Sequence, residues 1–182
     1  MQFAEPVSKK LPAEGSQFRI RKEGEFKKDG LKIYIHKPVL LEIIEYSKTN
    51  LDRELGGCMY GGYYQDEVAN EIFIEIDSYI KAKLGESKSA SFKFNADTWT
   101  DIGQIKEERF PEKLMVGWHH THPRFGLFLS SMDMFIHQNF FNLPFQVAMV
   151  VDPVADNLAF FQWRGDVMED CGFFLITPKK SS

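Results

Sequence analysis

Hydrophobic and polar residues alternate with a period of two along much of this chain. This pattern predicts a β-rich fold, because successive side chains of a strand point to opposite faces of the sheet. Glycine, proline and polar clusters separate the alternating runs. The predicted strands are FRIRKEGEF (18–26), LKIYIH (31–36), ELGGCMYGGYY (54–64), NEIFIEIDSYIKAK (70–83), SFKFNA (91–96), KLMVGWHH (113–120), FQVAMVVDP (145–153) and LAFFQW (158–163).

Three other segments place apolar residues three and four positions apart, which is the spacing of one helical face. Pro38 suits the first turn of the first of these helices, and Ser130 or Ser131 can cap the third. A polar stretch, LGESKSAS (84–91), is expected to form a loop. The predicted helices are KPVLLEIIEYSKTN (37–50), DTWTDIGQIKEERF (97–110) and SSMDMFIHQNFF (130–141).

The order of these elements predicts a single α/β domain over residues 17–182. Strands and helices mix along the chain, which favours one mixed β-sheet flanked by helices. The turn signal Asp29-Gly30 predicts that the strands on either side of it form an N-terminal β-hairpin. Residues 1–16 are polar and punctuated by proline and glycine, so they are expected to form a flexible N-terminal arm.

Composition and charge argue against several classes of protein. The 182 residues carry a formal net charge of −4, so no nucleic-acid partner is expected. The N-terminus lacks the apolar core of a signal peptide, and no run approaches the ~18 apolar residues of a membrane span. Two cysteines, Cys58 and Cys171, are too few for a disulfide framework. We therefore expect a globular, cytoplasmic protein with free thiols and no membrane partner.

Three of the five histidines lie within GWHHTHP (117–123), and this concentration predicts a metal site. In a strand His120 and His122 point to the same face, and the proline that follows favours extended backbone at His122. Asp133 lies in the first turn of the third predicted helix, on the same face as Ser130. Two imidazoles and a carboxylate are typical zinc ligands. Three protein ligands leave a position for water, which is the catalytic rather than the structural pattern.

A hydrolytic metal site also needs a general base. Glu54 is a candidate, because it begins the glycine-bearing segment 54–64 and could project over a central face of the sheet. Nothing in the local sequence establishes that Glu54 faces His120.

Two further histidines near the motif are assigned structural roles. Alternation along the strand points His119 away from the metal, so it is expected to be either satisfied in the core or exposed. His137 lies four residues after Asp133 on the same helical face. A buried histidine at that position is favoured over one that touches substrate.

Together these residues resemble the JAMM motif of the JAB/MPN metalloprotease family. That motif has a His-x-His pair, seven residues, a serine, two residues and an aspartate, with an upstream Glu-x-x-Gly-x-x-x-Gly. The strand segment VAMVVDP is similar to the one that follows the motif helix in the family. The likeness covers roughly residues 31–165. The matching positions are His120, His122, Ser130 and Asp133, with Glu54, Gly57 and Gly61 upstream.

The resemblance implies a role for each motif residue. It implies one zinc ion per chain on His120, His122 and Asp133. Glu54 would be the general base for a catalytic water, and Ser130 would help to stabilise the oxyanion. Family enzymes cut isopeptide or peptide bonds after the C-terminal tail of ubiquitin or a ubiquitin-like protein, so such a protein or its conjugate is the implied partner. The compact length resembles stand-alone bacterial members that accompany ubiquitin-like conjugation genes, some of them in antiphage systems, which would add conjugation-pathway proteins as partners.

Several alternatives remain open at this level. The same chemistry could process the tail of a ubiquitin-like or sulfur-carrier precursor, or the chain could be a non-catalytic scaffold of the MPN type. Retention of Glu54 counts against a scaffold, which needs no base. Gly57 and Gly61 either bulge the strand or let a narrow substrate tail approach the backbone. Phe125 and Phe128, in the loop between the ligand segments, are expected to contact substrate.

Overall fold

The structure, a computed structural model, describes residues 4–15, 17–83 and 92–179. Within these ranges the strands form one ten-stranded sheet in the order β2-β10-β3-β5-β4-β6-β7-β8-β9, with β1 paired to β4. This confirms the predicted mixed sheet. The elements are β1 (Val7–Ser8), β2 (Phe18–Glu23), β3 (Lys32–His36), α1 (Lys37–Ser47), β4 (Gly56–Asp66), β5 (Glu71–Lys81), α2 (Ala96–Arg109), β6 (Leu114–Thr121), α3 (Ser131–Phe140), β7 (Val147–Asp152), β8 (Asn157–Arg164), β9 (Val167–Cys171) and β10 (Phe173–Pro178).

Helices cover both faces of the sheet, and strand alternation divides the core between them. Met149 and Val151 of β7 pack in the cluster that contains the buried face of α1. Ala148 and Val150 pack in a second cluster that contains Ile102 of α2 and Ile136 of α3. Each strand in the middle of the sheet is therefore buried on both sides, which explains the nearly continuous apolar run of β7.

The predicted N-terminal hairpin is wrong. β2 and β3 do not pair with each other, because β10 lies between them, antiparallel to β2 and parallel to β3. The turn signal itself is real, since Asp29 adopts a positive φ of 59°. The apolar β10, which comes from the far end of the chain, occupies the position that a local hairpin would have filled.

Other segments also differ from their sequence interpretation, and β9 and β10 were not among the predicted strands. Residues 92–95, predicted as part of a short strand, have no regular structure, and Phe92 instead packs into the α2–α3 side of the core. Part of the predicted arm lies on the sheet: β1 pairs in parallel with the end of β4, and Leu11 N donates to Asp66. The flexibility of the whole arm stays a prediction, and the predicted loop 84–91 lies outside the described residues.

Within the described ranges, no helix is long and apolar enough to cross a membrane.

Candidate functional site

The end of β6 and the start of α3 bring together the three predicted metal ligands. His120 and Trp118 share one face of β6, the face on which α3 packs, so His120 points toward the helix that carries Asp133. His122 follows the end of the strand, and its backbone N–H still donates to Val151 O of β7 at 2.8 Å. All three ligand residues are almost fully buried, with exposed fractions of 1% for His120, 3% for His122 and 6% for Asp133.

The separations between the ligand atoms fit a tetrahedral metal ion. His120 Nε2 lies 3.2 Å from His122 Nε2. Asp133 Oδ1 lies 3.3 Å from His120 Nε2, and Asp133 Oδ2 lies 3.3 Å from His122 Nε2. Zinc–ligand bonds of about 2.0–2.1 Å place tetrahedral ligands about 3.3–3.4 Å apart. Each of these contacts is close to this separation, but Asp133 reaches the two histidines with different oxygens, so one oxygen must turn toward both nitrogens to complete a tetrahedral set. The N/N/O donor set itself is one that zinc accepts.

A capping box at the start of α3 orients Asp133. Ser130 Oγ accepts from Asp133 N at 3.2 Å, and Ser130 N donates to Asp133 Oδ2 at 2.7 Å. Ser130 therefore fixes the carboxylate that faces both histidines. Its predicted contact with an oxyanion stays a prediction.

The electrostatics of the group favour a cation. Burial alone would raise the pKa of Asp133, but hydrogen bonds from His120 and His122 outweigh it and hold that pKa well below its ordinary value. Burial alone would lower the pKa of His122, but the hydrogen bond and charge of Asp133, together with the charge of Glu54, raise it. Two carboxylates thus act on one nearly buried pocket, and a bound cation would satisfy both.

Glu54 lies beside this group, where β4 begins. Two hydrogen bonds tie the preceding turn to the end of β6: Leu55 N donates to Thr121 Oγ1 at 2.8 Å, and Thr121 N donates to Leu55 O at 2.9 Å. The side chain of Glu54 is half-buried, and its Oε2 accepts from Phe92 N at 2.8 Å. β4 and β6 are antiparallel neighbours, so their pairing brings the candidate base to the end of the strand that carries His120.

A groove of about 500 Å³ opens along Glu54, with one wall formed by residues 51–54 and the other by residues 123–125. Phe125 lines this groove and is 71% exposed. Phe128 is 46% exposed, and its ring centroid lies 4.8 Å from that of His122. Both phenylalanines are therefore available to an extended substrate next to the ligands.

Gly57 and Gly61 lie inside the sheet. A Cβ on Gly57 would lie 2.3 Å from Tyr79 Oη, and a Cβ on Gly61 would lie 1.8 Å from Glu75 O. β4 is paired on both edges at these positions, and its register shifts near Gly61. Close strand packing and the register shift therefore account for both glycines. Their predicted contact with a substrate tail stays a prediction.

His119 points to the opposite face, as strand alternation predicted. Its Nε2 lies 3.0 Å from Ser47 Oγ, and its Nδ1 lies 3.0 Å from Tyr79 Oη. Ser47 donates its own proton to Ile43 O at 2.7 Å, so His119 Nε2 is the donor to Ser47. Complete burial lowers the pKa of His119 to about 3, which keeps the ring neutral in the core.

Trp118 is a supporting residue that the sequence interpretation missed. Its indole ring stacks on the His120 ring with centroids 4.4 Å apart and an interplanar angle of 15°. Its Nε1–H donates to His137 Nδ1 at 3.0 Å, which links β6 to α3 one turn beyond Asp133. His137 is fully buried, as predicted. Spacing was the signal in the sequence: Trp118 is two residues from one ligand, and His137 is four residues from another.

Comparisons with known proteins show which family this chain resembles. The family profile described as JAB1/Mov34/MPN/PAD-1 ubiquitin protease matches residues 28–143. The 26S proteasome regulatory subunit rpn11 of Schizosaccharomyces pombe is 31% identical over 147 residues, covering 80% of this chain and 44% of that protein. The ubiquitin carboxyl-terminal hydrolase RPN11 of Saccharomyces cerevisiae is 28% identical over 128 residues, covering 67% and 39%. The chain thus spans less than half the length of these curated relatives.

A solved structure shows the same fold. The solution structure of protein DSY2949 from Desulfitobacterium hafniense superposes with a TM-score of 0.58 and 16% sequence identity. The match covers 81% of this chain and 94% of that one.

Proposed function

Because the chain belongs to the JAB1/Mov34/MPN/PAD-1 ubiquitin protease family, we propose that it is a zinc-dependent peptidase. Its substrate would be a bond that follows the C-terminal tail of ubiquitin or of a ubiquitin-like protein. One observation carries the proposal: the three ligand side chains meet next to a groove between residues 51–54 and 123–125, and the lining of this groove includes Glu54, a carboxylate outside the ligand group. A site that only binds metal has no use for this second carboxylate.

The residues divide the chemistry between them. His120, His122 and Asp133 would hold the zinc ion. When bound, zinc would acidify the attacking water and polarise the scissile carbonyl. Glu54 would accept a proton from that water and deliver it to the leaving amine nitrogen as the tetrahedral species collapses. The hydrogen bond from Phe92 N to Oε2 fixes the direction of the Glu54 side chain, and the second carboxylate oxygen would take the proton.

Ser130 and the aromatic side chains would act on the substrate. The Ser130 hydroxyl lies at the N-terminus of α3, where developing negative charge on the substrate oxygen is favoured by the helix dipole. Phe125, which lines the groove, and Phe128, which lies beside the His122 ring, would hold the extended tail next to the ligands.

The proposal extends to the substrate that carries the cleaved bond. A ubiquitin-like protein of a bacterial conjugation system, including an antiphage system, and cytoplasmic conjugation enzymes would be the partners. Processing of a ubiquitin-like or sulfur-carrier precursor uses the same residues. The two functions differ in the leaving group, which is a lysine side-chain amine in one case and a main-chain amine in the other.

The proposal is tested by comparing two variants that separate a base from a ligand. Glu54→Gln keeps the size of the side chain and its bond to Phe92 N but cannot accept a proton. It should retain about one zinc per chain and bind substrate, while cleavage falls by at least ~100-fold, the lower end of general acid–base assistance. His120→Ala should lose both zinc and cleavage. Zinc is measured by atomic absorption, and cleavage is measured on isopeptide-linked and linear ubiquitin-like fusions.

Glu67→Gln is the matched control, because Glu67 is exposed in the turn between β4 and β5. This variant should cleave at the wild-type rate. Near wild-type cleavage by Glu54→Gln with zinc in place would refute the assigned base and direct attention to Asp52. A wild-type chain that binds zinc but cleaves neither fusion would favour the scaffold instead.

A further inference from the structure

Asp152, at the end of β7, uses its carboxylate to join two separate segments of backbone. It is 3% exposed. Oδ1 accepts from Val154 N at 3.0 Å and Ala155 N at 3.1 Å, which closes the turn between β7 and β8. Oδ1 also accepts from Arg124 N at 3.1 Å, and Oδ2 accepts from Gly126 N at 3.2 Å. The last two donors belong to the loop that follows His122.

That loop has a conformation that needs support. Arg124 has a φ of 71° and Gly126 a φ of 84°, so two residues of the loop occupy the left-handed region, and one of them is not glycine. The loop presents Gly126 O to His122 Nδ1 at 3.3 Å. The other ring nitrogen, Nε2, faces the remaining two ligands.

We propose that Asp152 is a positioning residue for the metal site, acting through the Arg124–Gly126 turn on the ring of His122. A histidine that binds metal through Nε2 must carry its proton on Nδ1, and an acceptor at Nδ1 fixes both the tautomer and the ring orientation. Gly126 O is that acceptor, and Asp152 holds the peptide that precedes it in place. The role of Asp152 rests on the proposed zinc site, but not on the identity of the substrate.

The chain contains a second turn with the same construction, remote from the site. DEVAN (66–70) and DPVAD (152–156) share the pattern Asp-x-Val-Ala followed by Asn or Asp. Asp66 Oδ1 accepts from Val68 N and Ala69 N, each at 3.0 Å, and the fifth residue of each turn has a φ near 54°. The second oxygen of Asp66 reaches Leu11 N at 2.8 Å, whereas that of Asp152 reaches the ligand loop. Asp66 therefore has the same local turn role without the connection to His122.

The matched variants are Asp152→Asn and Asp66→Asn. In Asp152→Asn the amide oxygen can still accept from the N–H groups of the β7–β8 turn. The amide NH₂ group then faces Gly126 N–H, and two donors cannot form a hydrogen bond. Asp152→Asn should therefore keep the β7–β8 turn and lose the bond to Gly126. We expect its Kd for zinc, measured by competition with a chromophoric chelator, to rise about 10- to 100-fold. The visible absorption spectrum of the Co²⁺-substituted protein should change as well. Asp66→Asn should leave the zinc Kd and the Co²⁺ spectrum at their wild-type values.

A second pair of variants perturbs the turn from its other side and decides the matter if Asp152→Asn does not fold. Gly126 and Gly165 both have positive φ, and a Cβ added to either would meet no atom of the described residues within 4 Å apart from its two chain neighbours, so alanine brings similar strain to each. Gly126→Ala should weaken zinc binding, and Gly165→Ala, in the turn between β8 and β9, should not.

The outcomes separate this inference from the proposed function. A wild-type chain that binds no zinc would overturn both. If the wild-type chain binds zinc, and if folded Asp152→Asn and Gly126→Ala both have the wild-type zinc Kd and Co²⁺ spectrum, the role of Asp152 alone would be overturned. If zinc binding is weaker in all four variants, the weakening is a general consequence of strain in the fold. This result would also refute the role of Asp152.

Discussion

His137 should make the protein less stable in mild acid, and the structure gives the size of the effect. The ring is fully buried, and Trp118 Nε1–H donates to its Nδ1 at 3.0 Å. Protonation would place a second proton between these two nitrogens, and among the described residues the other ring nitrogen has no partner. Burial lowers the pKa of His137 from its ordinary 6.5 to about 4.

The sign and magnitude follow from proton linkage. Below pH 6.5 the unfolded chain binds a proton at this position that the folded chain does not bind, so the free energy of unfolding falls as the pH falls. The loss stops near pH 4, where the folded chain also becomes protonated. At about 1.36 kcal/mol per pH unit, His137 alone should remove about 2 kcal/mol between pH 7 and pH 5.

Urea unfolding of the metal-free protein, followed by circular dichroism at pH 7 and pH 5, measures this term. His137→Gln cannot titrate but can still accept the indole N–H, so its loss of stability between the two pH values should be smaller by about 2 kcal/mol. His137→Asn provides a second non-titrating variant. Equal losses in the wild type and in both variants would refute the argument that a neutral, buried His137 is part of the folded state.

Two further predictions concern the sheet and the groove. Gly61→Ala would drive a methyl group into Glu75 O and should lower the free energy of unfolding by about 1–3 kcal/mol. Gly103→Ala, in open space on α2, should raise the free energy of unfolding by about 0.5–1 kcal/mol. If urea unfolding shows the same change in stability for both variants, the packing assigned to Gly61 is contradicted. Phe128→Ala should raise KM for a ubiquitin-like fusion while leaving the zinc content unchanged, and an unaltered KM would remove Phe128 from the substrate contacts.

The parts of the fold that could be predicted are those determined by local pattern. Alternation identified β5, and apolar spacing identified the three helices, because burial of one face is encoded within each segment. The order of the strands in the sheet could not be predicted from local pattern. The hairpin prediction failed because β10, more than 130 residues away in sequence, competes with the local neighbour for the edge of β3. Phe92 was misassigned for a similar reason, since its ring is buried by packing over Gly56 of β4 and against Phe94 rather than by strand pairing.

The candidate site divides in the same manner. The ligands are recognisable because strand and helix periodicity place each side chain on a known face. The position of Glu54 depends on β4 lying antiparallel to β6, which no local pattern specifies. Spacing places Trp118 on the same strand face as His120, but its bond to His137 cannot be read from the sequence, and no sequence pattern connects Asp152 to the loop at Gly126.

The distribution of the site along the chain has a consequence for how preparations of the protein are judged. All three ligands come from residues 120–133, a single continuous stretch of the chain. Glu54 lies far from them in sequence and reaches them only through the pairing of β4 with β6, a non-local contact that costs more loop entropy. A chain in which this pairing is lost would keep every ligand residue but lack the carboxylate beside them. Metal content therefore reports the ligand segment, whereas the number of chains with a complete site must be measured by a probe that depends on Glu54.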